Sequence, residues 1–313
     1  MSVPEALRVV ILSHGGDSPA ARVVDALIEE GVRPAQVVLV HNATDPSHRP
    51  PAVPDGVTVL PSGRNLGYTG GMNLGLGHAI ADASAELVLL LTHDVAILPG
   101  TLAALLDAAA RHPEYAILGP WLFDPVRRAV FSYGMRMDRI GGMAHMLERP
   151  ADEHDGIVPA DAIDGSFMLI RAEVFRRCGL FDERLFGYAE ESELALRARR
   201  AGWRVGVVSS ARGEQEIGVP RRPGAYSYLM ARNGFNLGRE AAGALGVAGG
   251  FWRAAIQLAV HGRRLADPRR PREHKRAAWA SIVGTVRGSL DYFRGRWGAP
   301  PADLPGLGDV TGT

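Results

Sequence analysis

The 313-residue sequence predicts an α/β fold, with a mostly parallel sheet covered by helices on both faces. Three observations carry that reading. The strand-length apolar runs are continuous rather than alternating, as strands buried on both faces are. Helix-length segments separate these runs, the pattern of successive strand–helix–strand units. A glycine-rich loop falls between one such run and a helix, within residues 63–75.

The elements follow in order. Leu7–Leu12 is the first strand. Ser18 offers a helix cap and Pro19 a first helical residue with its φ already set, so a helix runs to Glu30 and stops at Gly31. Gln36–Val40 and Val57–Leu60 are the second and third strands, and Gly63–Ala83 is the glycine-rich loop with its helix. Glu86–Leu91 is a further buried strand, closing on Thr92-His93-Asp94. Residues 101–111 read as a helix and Tyr115–Leu118 as a strand. Beyond Trp121 the pattern loosens. Residues 128–147 read as a hairpin turning at Gly141-Gly142, and 148–161 as a polar loop. Ser166–Ile170 is a strand, Glu190–Ala201 a helix stopped by Gly202, and Val205–Val208 the last strand. Helices follow from about Tyr226. The expected division is an α/β domain over 1–240, a helical region over 241–297 and a flexible, Gly/Pro-rich tail over 298–313.

Composition excludes several classes. Lys and Arg number 35 against 34 Asp and Glu, a formal net charge of +1, which argues against a dedicated nucleic-acid binder. The balance is an average: residues 1–262 hold 25 basic and 29 acidic side chains, whereas 263–296 hold 10 and 3. Cys178 is the one cysteine, so neither an intramolecular disulfide framework nor a multi-cysteine zinc site is available. Met1–Ala6 carries Glu5 and no basic region, unlike a secretory leader. The nearest approach to a membrane span, 241–262, is interrupted by Arg253 and reads as a surface or packed helix. The expected location is the cytoplasm, soluble or peripheral at the inner membrane face.

Four clusters carry chemistry. In Asn65-Leu66-Gly67-Tyr68-Thr69-Gly70-Gly71-Met72-Asn73-Leu74-Gly75 the glycines let backbone amides approach an anion near a helix N-terminus, although such a run is equally a plain turn. Asp94 stands at the carboxyl end of a buried strand, where open α/β sheets bind ligands and where a carboxylate can hold a hard divalent cation; a loop carboxylate is the bland reading. Glu190-Glu191-Ser192-Glu193 opens a helix, as acids often do to meet its dipole, and Glu193 with Arg197 makes a surface i,i+4 pair. In Asp164-Gly165-Ser166-Phe167-Met168-Leu169-Ile170-Arg171, Gly165 permits close backbone approach while the apolar residues read as core.

Taken in this order, the segments resemble an inverting family-2 glycosyltransferase of GT-A fold, from its bacterial rhamnosyltransferase-like branch, over about Leu7 to Glu240. The resemblance implies a nucleotide-diphosphate-sugar donor and a hydroxyl acceptor, whether glycan, lipid-linked or small molecule. It implies that Ser13, His41, Asn42 and Asp45 hold the nucleoside, with Asn65, Gly67, Gly70, Gly71, Asn73, Thr92 and His93 on the donor side. Asp94 then matches the ligand of Mg²⁺ or Mn²⁺, and Glu191 the catalytic base. Asp164, Gly165, Ser166, Glu190 and Arg232 fall on the acceptor side, Arg232 with Asn233 as an Arg-Asn pair. This chain departs from the family in four places: His41 and Thr92 stand where acids are usual, Glu191 replaces an aspartate, and no histidine falls near Gly213–Glu216. Glu214, Glu216 or His93 remain for that missing ligand. The departures leave a non-catalytic nucleotide-sugar binder or assembly partner as the rival. The basic C-terminal helices suit either a peripheral membrane contact or a covering or homodimer role.

Overall fold

The computed structural model describes residues 3–14, 19–43, 47–218 and 222–306. The elements are β1 (Leu7–Ser13), α1 (Ala20–Glu29), β2 (Val37–His41), β3 (Thr58–Pro61), α2 (Gly67–Ala79), β4 (Leu87–Thr92), β5 (Val95–Ile97), α3 (Thr101–Arg111) and β6 (Tyr115–Asp124). After them come β7 (Ala129–Ser132), β8 (Met135–Met137), β9 (Met143–His145), β10 (Ile157–Ala160), β11 (Phe167–Arg171), α4 (Ala172–Cys178), α5 (Glu190–Arg200), β12 (Arg204–Gln215), α6 (Pro223–Ala266) and α7 (Arg272–Phe293). They form two compact units: one of residues 1–136, 144–182 and 190–217, the other of 137–143, 183–189 and 218–313.

The first unit is the expected α/β layer. Its main sheet runs β10-β12-β6-β11-β4-β1-β2-β3, with β5 beside β12 and β7 beside β6. The pairs β1–β2, β1–β4, β2–β3 and β6–β12 are parallel. β11 is reversed, antiparallel to both β4 and β6. The continuous apolar runs have the predicted cause. Leu7, Val9 and Ile11 of β1 belong to the core formed with Val23, Val24 and Leu27 of α1 and Leu102 and Leu105 of α3. Val10 and Leu12 point to the other face, where they meet α2.

Some elements differ from expectation for visible reasons. Ser18 lies outside the described residues, and Pro19 is the residue before α1 rather than its first. β12 continues past Val208 to Gln215 after a bulge opposite Pro120 and Trp121. Its extension alternates polar residues with Ala211 and Gly213, so it lacks the apolar run that marks the other strands. β10 lies inside the segment expected to be a polar loop and is held there by backbone pairing with β12.

The second unit is helical. Its continuous stretch runs from 218, with 137–143 and 183–189 joined to it, and residue 241 lies inside α6. α6 is broken at Ala242 and Gly243, the latter at φ 59°. The break lets Gly246 lie directly against Gly238, where no Cβ would fit. Gly284 and Gly288 of α7 likewise pack against the α6 backbone at Gly224 and Tyr228. The start of the expected flexible tail is docked: Gly298 N–H donates to Arg184 O at 2.8 Å, and Leu304 is buried beside Ala225, Tyr228 and Leu229. Residues 307–313 lie outside the description. By length and composition α6 is apolar enough to cross a membrane.

Candidate active site

The strand order turns at β1, which has β2 on one side and β4 on the other. Crevices at the carboxyl ends of strands flanking such a turn are the usual ligand sites of open α/β sheets. Ser13 pairs with His41 and Leu12 with Thr92, so Ser13-His14, His41-Asn42 and Thr92-His93-Asp94 all emerge at one edge. His93 N–H and its Nδ1 both donate to Leu12 O, at 3.0 and 3.3 Å, and His14 Nδ1 donates to Asn42 O at 3.0 Å. His41 is buried, its Nε2 donating to His48 O at 3.2 Å. Among the described residues Ser13 Oγ and His41 Nδ1 have no partner. Asp45 lies outside them.

The glycine-rich segment is placed differently from a simple anion cradle. Asn42 Oδ1 accepts from Leu66 N–H at 2.8 Å, and its Nδ2 donates to Gly67 O at 2.9 Å. Asn65 Oδ1 accepts from Gly67 N–H at 2.8 Å, pinning the turn into α2 where Gly67 adopts φ 71°. Asn73 makes a reciprocal pair with the Phe181 backbone, at 2.9 and 3.0 Å. These three amides are thus directed at the chain's own backbone. Gly71 faces the sheet, where a Cβ would fall 2.5 Å from Leu12 Cδ1; Gly75 abuts Val10 in the same way, and Gly70 abuts Leu66. Gly70, Gly71 and Gly75 therefore buy close packing, of α2 on the sheet and of the turn on α2, not an open row of amides.

Three carboxyls of this unit, Asp164, Glu190 and Glu191, lie near one another. β11 is reversed, so its first residue lies beside the last residues of β4: Phe167 pairs with Leu91, and Thr92 N–H donates to Ser166 O at 3.0 Å. Asp164 Oδ1 accepts from Ser166 N–H at 2.9 Å and from Ser166 Oγ at 2.5 Å. Tyr68 Oη donates to Gly165 O at 2.5 Å. A Cβ on Gly165 would fall 3.2 Å from that Oη and 3.7 Å from Glu191 Cβ, so glycine is what lets the three groups converge. Asp164, Gly165, Ser166, Glu190 and Glu191 are therefore gathered in one place. Glu193, expected at the surface, is buried and makes a two-pronged pair with Arg197 at 2.6 and 2.7 Å. The same guanidinium donates to the carbonyls of Cys178, Gly179 and Leu180, fixing the helix that carries Glu190 and Glu191.

Burial dominates the electrostatics here. It pushes Glu191 up to about 7, aided by Asp164 and opposed by hydrogen bonds from its own backbone amide and from Ser192. Glu190 is raised well above the ordinary carboxylate range by burial and then by Glu191, and its Oε2 has no partner among the described residues. The Tyr68 phenol is raised by burial, then by Glu190, Glu191 and Asp164, so it stays a hydrogen-bond donor. Glu191 retains partial exposure, whereas Glu190 is buried. His145, whose Nδ1 lies 2.9 Å from Ser132 Oγ, is lowered by burial and partly restored by Asp164. Sequence reasoning passed over Tyr68 and His145 as sites: one sits among glycines, the other in a hairpin without a motif.

Asp94 is exposed, accepting from Thr92 Oγ1 at 2.6 Å and from Gln215 Nε2 at 3.0 Å. Gln215, at the end of β12, was another missed neighbour; Glu214 beside it is paired with Arg212 at 2.5 Å. Among the described residues no group of three or more His, Cys, Asp or Glu side chains converges as a cage. One exposed carboxylate fits a hard divalent ion only if phosphate oxygens and water complete the shell, as Mg²⁺ sites often do.

Arg232 does not present its charge to an acceptor. It belongs to the helical unit, has no exposure, and donates to Gly298 O at 2.8 Å, Leu185 O at 2.9 Å and Arg184 O at 3.3 Å. Asn233 beside it donates to the carbonyls of Leu185, Gly187 and Tyr188. The pair clamps a loop in which Phe186, Tyr188 and Ala189 all adopt positive φ, a strained backbone for non-glycine residues.

Comparison with known proteins bears on the family and the fold. Residues 4–236 match the family model described as glycosyltransferase-like family 2. The chain is 31% identical over 229 residues to the N-acetylglucosaminyl-diphospho-decaprenol L-rhamnosyltransferase of Mycobacterium tuberculosis, covering 66% of this chain and 75% of that protein. It is 30% identical over 208 residues to the low-salt glycan biosynthesis hexosyltransferase Agl10 of Haloferax volcanii, covering 64% and 66%. The crystal structure of GalNAc-T7 with UDP, GalNAc and Mn²⁺ superimposes with a TM-score of 0.56 at 15% identity, over 94% of this chain and 58% of that one. That likeness is one of fold, the GT-A arrangement of a mostly parallel sheet flanked by helices.

Proposed function

The chain belongs to glycosyltransferase family 2 and is a nucleotide-sugar-dependent transferase, and from that premise we propose an inverting single displacement with Glu191 as base. The acceptor hydroxyl oxygen attacks the anomeric carbon as its proton passes to a Glu191 carboxylate oxygen. The bond from that carbon to the diphosphate breaks, and the diphosphate leaves with the electron pair. One observation carries the reading: Glu191 is buried enough to be held at about 7, yet keeps part of its surface open. A base matched to neutral pH is half deprotonated there while remaining basic enough to pull. Glu190, whose carboxyl burial raises, is the neighbour placed to donate a hydrogen bond to the acceptor or to the Glu191 carboxylate, while the Tyr68 O–H is held by Gly165 O.

The nucleoside is proposed to lie over the ends of β1 and β2, where Ser13 Oγ and His41 Nδ1 lack protein partners among the described residues. Asp94 is the residue that would hold a divalent ion against the diphosphate. That ion would offset the charge gathering on the leaving group. The acceptor is proposed to be a hydroxyl of a lipid-linked glycan, at the cytoplasmic face of a membrane, in keeping with the acceptor named for the mycobacterial relative.

The test is nucleoside diphosphate release from a panel of nucleotide sugars with a lipid-linked acceptor, comparing the native chain with Glu191→Gln. The product's anomeric configuration, read by NMR, should be inverted. A retained configuration, or full activity in Glu191→Gln, would overturn the proposal.

A further inference from the structure

The apolar residues that the helical unit leaves in solvent are not scattered. On the second arm of α6, Leu245, Trp252, Ile256 and Val260 are exposed at intervals of seven and four, a single stripe at helical spacing. On α7, Trp279, Val286, Leu290 and Phe293 repeat the pattern. Phe251 and Phe293, both more than half exposed, stack with ring centroids 5.3 Å apart and join the two stripes. Only 17% of the apolar window of α6 is buried, so this is not a core helix. Monomer surfaces rarely leave so much contiguous apolar area open without a partner.

Charge identifies the partner. The end of α6, the turn and the start of α7 together carry seven basic residues between Arg263 and Arg276, against Asp267 and Glu273. Asp267 is already engaged by Arg270 at 3.7 Å. Of the other acids of the two helices, Glu240 lies on the first arm of α6, where it accepts from Asn236 Nδ2 at 2.8 Å, and Asp291 is buried and accepts from Tyr228 Oη at 3.0 Å. A second copy of this face would bring the same excess, seven basic residues against two acids, and so little acidic complement to the basic stretch. An anionic bilayer supplies both needs, headgroup charge for the arginines and an interfacial layer for the tryptophans. Spanning is disfavoured for α6: Arg253 lies in mid-arm, its guanidinium donating to Ile140 O and Gly234 O, and the helix is broken at Ala242–Gly243.

We propose that the second arm of α6 and α7 form an in-plane docking face for an anionic membrane surface, with Trp252 and Trp279 inserted and the Arg263–Arg276 stretch on the headgroups. The proposal is independent of the catalytic reading, because it is measured by binding and not by turnover.

The experiment is flotation of the full chain with vesicles of phosphatidylglycerol and phosphatidylethanolamine in equal parts, beside vesicles of phosphatidylcholine. The native chain should float with the anionic vesicles at low salt and be largely released at roughly 0.5 M salt, where screening is short-ranged. Each basic residue near an anionic surface is worth about fivefold in partitioning, so Arg269→Glu/Arg270→Glu/Arg272→Glu should weaken binding by more than about a hundredfold. Trp252→Glu/Trp279→Glu should do the same, and both tryptophans are exposed enough for the fold to survive, which circular dichroism checks. Failure of the native chain to float at low salt overturns the proposal. So does undiminished flotation of the tryptophan variant, or light scattering in which those substitutions convert a dimer to a monomer, since the face would then be covered by a second copy.

Discussion

Replacing Glu191 with glutamine should stabilise the protein while abolishing its chemistry. Burial raises this carboxyl to about 7 from an ordinary value of 4.5. A raised carboxyl favours the protonated fold, so its contribution is fully present below the unfolded value and lost as pH climbs through the folded one. The gap corresponds to roughly 3 kcal/mol at pH 8, and the part of Glu191 that remains in solvent brings the expected effect to about 2–3 kcal/mol. Glutamine keeps the shape without the charge. Urea unfolding at pH 4 and pH 8 should give Glu191→Gln and the native chain nearly equal stability at the lower pH, with the variant ahead at the higher. Turnover should fall about 10²–10⁴-fold, the usual worth of a general base. A variant that is both more stable and inactive cannot be explained as a damaged fold. Equal stability at pH 8, or a difference that ignores pH, would refute the desolvated-base reasoning.

Activity itself should titrate with the same group. In the native chain kcat/KM should fall about tenfold per pH unit below about 7, and the Glu191→Gln remnant should lose that slope. Gly71→Ala pushes a methyl into Leu12 and should cost about 1–3 kcal/mol in urea unfolding, whereas Gly77→Ala, with nothing within 4 Å, should be neutral or slightly stabilising. Arg232→Lys keeps the charge but loses the fork that reaches Gly298, Leu185 and Arg184, and should cost about 2–4 kcal/mol of stability. Asp94→Asn should weaken donor-dependent turnover at limiting Mg²⁺ or Mn²⁺ more than at saturating metal; equal loss at both would argue against Asp94 as the metal's protein ligand.

The strands were legible because burial on both faces leaves a continuous apolar signature, as in Leu7, Val9 and Ile11 under α1 and α3 with Val10 and Leu12 under α2. The motif order also marked Thr92–Asp94 and Asp164–Ser166, loops that the structure brings to one edge of the sheet. What was hidden is what a one-letter string does not encode: the face a residue takes and its backbone partner. Gly71 and Gly75 are visible as glycines, but their contact with Leu12 and Val10 depends on which side of α2 meets the sheet. Asn42, Asn65, Asn73 and Arg232 bond mainly to main-chain groups, which carry no residue identity. The extension of β12 to Gln215 is a pairing of backbones and leaves little hydrophobic trace. Tyr68 offered one usable signal: a lone aromatic among glycines at a helix start must find a cavity, and the acidic pocket is it.

The reversal of β11 explains how these parts meet. In a purely parallel sheet every carboxyl end faces one edge, and a strand's entering loop lies at the other. Because β11 runs against β4 and β6, its entering residues, Asp164–Ser166, arrive at the edge where β4 delivers Thr92–Asp94. The Thr92 N–H to Ser166 O bond ties the two loops directly. Gly165 then leaves room for Tyr68 of α2 and Glu191 of α5, so two loops and two helices meet without a long excursion of the chain. The cost is three carboxyls in low dielectric: burial first, and the neighbouring carboxyls second, raise Glu190 well above the ordinary range and bring Glu191 to about 7. The topology and the pKa are therefore linked: the reversed strand brings Asp164 to the cluster, and Asp164 supplies part of the charge that raises Glu191, the proposed base.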